Sequence, residues 1–115
     1  MVFEFWMAPG EDVAAEYTAT SNALRDLLGD LDGFGGVERF ESCTEPGKFV
    51  AIGFFDDEAA VERWRNDPTH RHAQMLGRSR FFVDYRLRIA DVERDYGPRD
   101  RHQAPSDSNH HHEES

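Results

Sequence analysis

Apolar residues in this chain switch several times between a period of two and a period near 3.6, and the order of those switches leaves few folds open. VFEFWM alternates Phe3, Phe5 and Met7 against Val2, Glu4 and Trp6, which predicts a strand. Pro9 and Gly10 end it. From Glu11 the apolar positions fall at Val13, Tyr17, Thr20, Leu24, Leu27, Leu28 and Leu31, a helical stripe with Glu11 and Asp12 at the positive end of the helix dipole. Gly33, Gly35 and Gly36 punctuate the chain. GVERFESCT and GKFVAIGFF then read as a hairpin around Glu45, Pro46 and Gly47. The second hairpin strand sets Val50, Ile52 and Phe54 against Phe49, Ala51 and Phe55, so it belongs in a sheet interior with cover on both faces. Asp56 or Asp57 caps a short helix through Trp64, and Asp67 with Pro68 opens another through about Arg78. FFVDYRLRIADV alternates again, Phe81, Val83, Tyr85, Leu87 and Ile89 against Phe82, Asp84, Arg86, Arg88 and Ala90.

Strand, helix, strand, strand, helix pair, strand is the order of an α+β, ferredoxin-like split βαβ unit: a four-stranded antiparallel sheet with helices on one face. Residues 1–97 form that domain. From Gly97 the chain reads GPRDRHQAPSDSNHHHEES, with no aliphatic residue larger than Ala, so residues 98–115 are expected to be a disordered polar tail in which His110 to His112 are solvated. The helices leave one sheet face bare. Val2, Trp6 and the outward side of GKFVAIGFF are expected there, beside Glu4, Arg39, Glu41, Arg86 and Arg88. Such a face predicts a homodimer, sheet against sheet, with Glu4 paired to Arg86 or Arg88 and setting strand register.

Composition removes several classes of partner. A formal charge of −10 argues against nucleic acid and against anionic membrane surfaces. No apolar run approaches the roughly 18 residues of a membrane span, and the N-terminus lacks a basic, then apolar, secretory pattern, so a cytoplasmic protein is expected. The single cysteine, Cys43, makes neither an internal disulfide nor a zinc site, and is expected as a small buried side chain.

Chemistry-bearing residues concentrate in WRNDPTHRHAQML, residues 64–76, which holds one large aromatic, two imidazoles, two amides and two guanidinium groups where two helices meet. His72 is expected to be exposed, because it and Arg71 cannot both face the core on one helix.

Through FGGVERFES and PGKFVAIGFFDDEAAVERWRNDPTHRHAQMLGRSRFFVDYRLRIADVERDYG the chain resembles the antibiotic biosynthesis monooxygenase (ABM) domain, a dimeric α+β barrel, over about residues 2 to 97. The resemblance implies a monooxygenase that oxidises a small phenolic or quinol substrate with O2, without a cofactor, in a cleft between sheet and helices. Under that reading His70 accepts a proton, Trp64 stacks on the ring, and Arg71, Gln74 and Arg78 stabilise phenolate and peroxide oxygens. Tyr85 and Tyr17 are further residues that reach the cleft. Haem-degrading relatives of this domain use an Asn late in the first strand, a Trp ending the helix after the third strand and a His about ten positions on. Here only Trp64 is in place: Trp6 and Met7 end the first strand, and Gln74 stands ten beyond Trp64. The resemblance therefore ranks cofactor-free oxidation above haem degradation. No metal site is expected. A barrel that binds a small ligand without catalysis is the other alternative.

Overall fold

A computed structural model describes residues 1–114, with side chains as far as residue 111, so the side chain of His112 lies outside the described residues. The alternating VFEFWM forms strand β1 (Val2–Met7), and the amphipathic segment after Gly10 forms helix α1 (Glu11–Gly29). The hairpin is β2 (Phe34–Glu41) and β3 (Lys48–Phe55), followed by α2 (Glu58–Asn66), α3 (Pro68–Leu76), a π-helical turn over Gly77–Phe81 and β4 (Phe82–Arg88). The sheet is antiparallel with strand order β2-β3-β1-β4. This is the expected ferredoxin-like arrangement, with β3 in the interior; the sheet is open rather than closed on itself. No helix among the described residues is long and apolar enough to cross a membrane.

Phe5 is fully buried at the centre of the core. Its ring lies 4.8 Å from Phe82, 5.1 Å from Phe3, 5.5 Å from Phe49 and 5.6 Å from Tyr17 of α1. Leu28 and Val13 of α1, Ala60 and Trp64 of α2, and Phe81 complete the buried set. Asp57 caps α2 by accepting from the Ala60 amide at 2.8 Å, and Asp67 caps α3 by accepting from the His70 amide at 3.0 Å. Both are the acidic caps expected from sequence, each satisfying an amide the helix leaves unpaired.

Several details differ from the sequence expectation. The register slips between Trp6 and Met7, so β4 carries an extra residue: Trp6 faces Asp84 while Met7 faces Phe82. Phe82, which strict alternation places on the charged side, packs instead on Phe3 and Phe5 under the helices. A second slip falls between Phe34 and Gly36, and in the regular ladder beyond it Arg39 pairs with Ala51 and Glu41 with Phe49. Arg39 and Glu41 therefore stand on the helix side, and Glu38 and Phe40 take the open face with Val50 and Ile52. β4 ends at Arg88 rather than running to Val92, because its neighbour β1 begins at Val2, the partner of Arg88, and further residues have no strand to pair with. Cys43 is exposed in the hairpin loop, not buried.

On the open face, Lys48 Nζ lies 2.8 Å from Glu4 and Arg88 Nη1 lies 3.0 Å from the other Glu4 oxygen. Glu4 thus pairs diagonally with Arg88 while Arg86 is its direct cross-strand partner. Within the expected tail the chain forms α4 (Ser106–Glu114). Arg101 organises this stretch: it donates to Asn109, Ser108 and the Gly97 carbonyl and lies over the Tyr96 ring.

Candidate active site

Between α1, α3 and the helix side of the sheet lies a cleft of ≈ 170 Å³. Phe3, Val37 and Ala51 of the sheet form its floor, Tyr17, Ser21 and Leu24 of α1 one wall, and Trp64, His70 and Gln74 the other. The hinge between α2 and α3 is what brings the last three together. Trp64 lies in the last turn of α2 and is buried. Asp67 then turns the chain and caps α3, and His70 falls in the first turn of α3, folded back over the indole.

The two rings stack, with centroids 3.9 Å apart and planes 14° from parallel. His70 Nδ1 lies 2.8 Å from the Trp64 carbonyl oxygen and 3.1 Å from Gln74 Nε2. A carbonyl only accepts, so the shorter contact assigns the proton to Nδ1, which donates to Trp64. Gln74 then donates to the Arg65 carbonyl at 3.2 Å, and its approach to Nδ1 is a contact rather than a bond. Nε2 is left with a free lone pair, the form a general base needs. Burial holds the His70 pKa below its ordinary 6.5; the bond to the Trp64 carbonyl and the charge of Asp67 oppose this less strongly. The imidazole is therefore neutral at pH 7.

Of the residues singled out by sequence, Trp64, His70, Gln74 and Tyr17 line the cleft. Arg71, Arg78 and Tyr85 do not. Arg71 donates to Asn66 and, with Arg78, borders a shallow groove on the outer face of α3, which Gln74 also touches. Tyr85 sits on β4 beside Phe3 and Phe82 and is 38% exposed. One face of the Trp64 indole is taken by His70, so that face is not free for a substrate ring. His72 is exposed, as expected.

The cleft also holds residues the sequence did not point to. Arg39 reaches in from β2 with its guanidinium carbon 5.1 Å from the centre of the Tyr17 ring, and Arg25, Thr20 and Ser21 come from α1. Ser21 and Arg25 follow Tyr17 at intervals of four, so the α1 part was available from helical spacing; Arg39 was hidden because GVERFES alternates without an apolar face to show which side it takes.

Haem suits this cleft poorly. Ligand sites for drug-sized molecules run to about 300–1,000 Å³, well above the volume here. Gln74 stands where the haem degraders supply an imidazole, and the His70 ring is pinned flat against Trp64. Among the described residues no group of three or more His, Cys, Asp or Glu side chains gathers as a metal site.

Comparison with known proteins adds a family. A family model described as antibiotic biosynthesis monooxygenase matches residues 1–76. Over 76 residues the chain is 37% identical to a protein of Pyricularia oryzae named jasmonate monooxygenase ABM, covering 66% of this chain but only 35% of that one. It is 31% identical over 78 residues to the uncharacterized protein YqjZ of Bacillus subtilis, covering 68% of this chain and 67% of that protein. A crystal structure of SnoaB, a cofactor-independent oxygenase from Streptomyces nogalater, superposes with a TM-score of 0.62 at 16% identity, over 79% of this chain and 90% of that one. At that identity the likeness speaks for the fold.

Proposed function

The chain belongs to the antibiotic biosynthesis monooxygenase family, and from that membership we propose that it oxidises a small phenolic or quinol substrate with O2 in the α1–α3 cleft, without a cofactor. The observation that carries this reading is the neutral His70 imidazole, fixed on Trp64 with its Nε2 lone pair free, in the wall of an otherwise mostly apolar cleft. SnoaB, named as a cofactor-independent oxygenase, shares the fold and supports it.

Little is asked of the protein in such a reaction. His70 Nε2 takes a proton from the substrate, and the resulting electron-rich anion passes one electron to O2. The radical and superoxide combine into a carbon-bound peroxide anion, the His70 imidazolium returns its proton to it, and loss of water leaves a carbonyl, so one oxygen atom enters the product and the other leaves as water. Burial assists the proton transfer by keeping the base unprotonated near neutral pH. Trp64 acts as a positioning residue, since its ring and its carbonyl oxygen fix the plane and tautomer of the imidazole. In this reading Gln74, which borders the cleft and already donates to the Arg65 carbonyl, gives its second amide N–H to a peroxide oxygen. Arg71, Arg78 and Tyr85 join only through rearrangement or a second subunit. We include a homodimer in this reading because the open sheet face exposes Phe40 and Phe54.

Oxygen uptake with a panel of hydroquinones and anthrones tests the reading. Wild-type protein should consume O2 with a rate that rises through a pKa below 6.5, and His70→Ala should fold normally yet lose at least about 100-fold in rate, the usual worth of a general base. Uptake at the wild-type rate in a folded His70→Ala protein would overturn it.

A further inference from the structure

We propose that the cleft is built for an aromatic substrate bearing a carboxylate, which Arg39 and Arg25 hold at the mouth while the ring lies between the sheet floor and the His70 wall. The inference rests on reading the cleft as the substrate site and adds the substrate's charge. The chain has 23 acidic residues against 13 basic ones, yet among the described residues no Asp or Glu lines this cleft, and two arginines do. A low-dielectric pocket with two guanidiniums at its edge concentrates positive potential in a molecule whose surface is otherwise negative.

Neither guanidinium is neutralised from within. Arg80 meets Glu16 and Asp12, and Arg88 meets Glu4, but among the described residues no carboxylate lies within ion-pair distance of Arg39 or Arg25. The ring of Tyr17 is the contact that Arg39 makes, and it orients the planar group without discharging it. Arg39 stands on the helix side because it pairs with Ala51, which is level with Phe3 on that face, and Arg25 lies two helical turns beyond Tyr17 on the same wall. Both side chains are exposed, so they stand at the entrance where a charged group keeps part of its hydration. Arg matches a carboxylate with two parallel N–H donors, and the Thr20 and Ser21 hydroxyls beside it offer further donors.

Calorimetric titration with matched pairs tests this: 2,5-dihydroxybenzoate against its methyl ester, and 2-naphthoate against 2-naphthamide. The acids should bind at least about tenfold more tightly than their neutral partners, the worth of one hydrogen-bonded charge. That preference should shrink as salt is raised and fall below about threefold in R39Q/R25Q, while R39K keeps part of it. Equal affinity of acid and neutral partner in both pairs, absence of binding by all four, or a preference unchanged in R39Q/R25Q would overturn the proposal. O2 uptake read on the same dihydroxybenzoates separates the two ideas. Carboxylate preference without uptake supports this inference and sinks the oxidation. His70-dependent uptake without preference does the reverse.

Discussion

His70 carries a consequence for stability as well as for chemistry. Its folded-state pKa lies below 6.5 because burial disfavours the cation. Between that lowered value and 6.5 the unfolded chain takes up a proton the folded chain refuses, so the stabilisation from a neutral His70 is complete above about 6.5 and is lost as pH falls through the window. In His70→Gln the loss of stability on acidification over that window should become shallower than in wild type, measured as denaturant midpoints at steps of pH. A wild-type slope retained in full would place the proton uptake elsewhere. The sequence made part of this visible. Asp67 and Pro68 announce the cap, and the cap fixes His70 in the first turn of α3. It could not say which of the neighbouring cations faces inward. Arg71 is one residue, and so about 100° of helix, away from His70, and that rotation takes it to Asn66 on the outer face.

At the scale of the element, periodicity placed all four strands and the first three helices, and it failed where one inserted residue changes the phase. Helix α3 does not run on to Arg78; it gives way at Leu76 to the π turn that buries Phe81, and the slip opposite Met7 then turns Phe82 inward. Two successive aromatics are thus both used on the helix side, which no strict two-residue alternation encodes. Arg39 escaped for another reason: GVERFES alternates without an apolar face, and only the pairing with Ala51 gives its side. Gly77 makes the turn possible, since a Cβ there would lie 2.7 Å from Phe82 Cε2. The Phe82 ring has little room to yield, being packed against Phe3, Phe5 and Tyr17. Gly77→Ala should therefore cost about 1–3 kcal/mol by overpacking, although alanine is the better helix former. Chemical denaturation reads the cost directly, and a neutral or stabilising result would mean that the ring moves aside freely.

The whole molecule is larger and flatter than a compact chain of its length. Its radius of gyration is 17.5 Å where about 13 Å is usual, and its surface of 8414 Å² exceeds by about 2,000 Å² the roughly 6,400 Å² expected from its mass. The extended stretch after β4 contributes to that excess, and so does a sheet with helices on one side only. Across its open face Phe40 is 44% and Phe54 54% exposed, beside Val50 and Ile52. Glu4, at the middle of the face, is already matched to Lys48 and Arg88, which hold its carboxyl below the usual range, so a second sheet laid on the face would cover a paired charge rather than a lone one. The order of the elements predicted the bare face but Arg39 and Glu41 were misassigned to it, and their transfer to the helix side leaves the face more apolar than the sequence implied. The bonds of Arg101 run within residues 96–109, so the sheet does not depend on them. Analytical ultracentrifugation at micromolar concentration should therefore give twice the 13.2 kDa chain mass, both for the whole chain and for one lacking residues 99–115. Phe54→Glu, at the exposed edge of the face, should shift the species toward a folded monomer by burying an unpaired carboxylate in the joint. A natively folded wild-type monomer at that concentration would show that the open sheet needs no second copy.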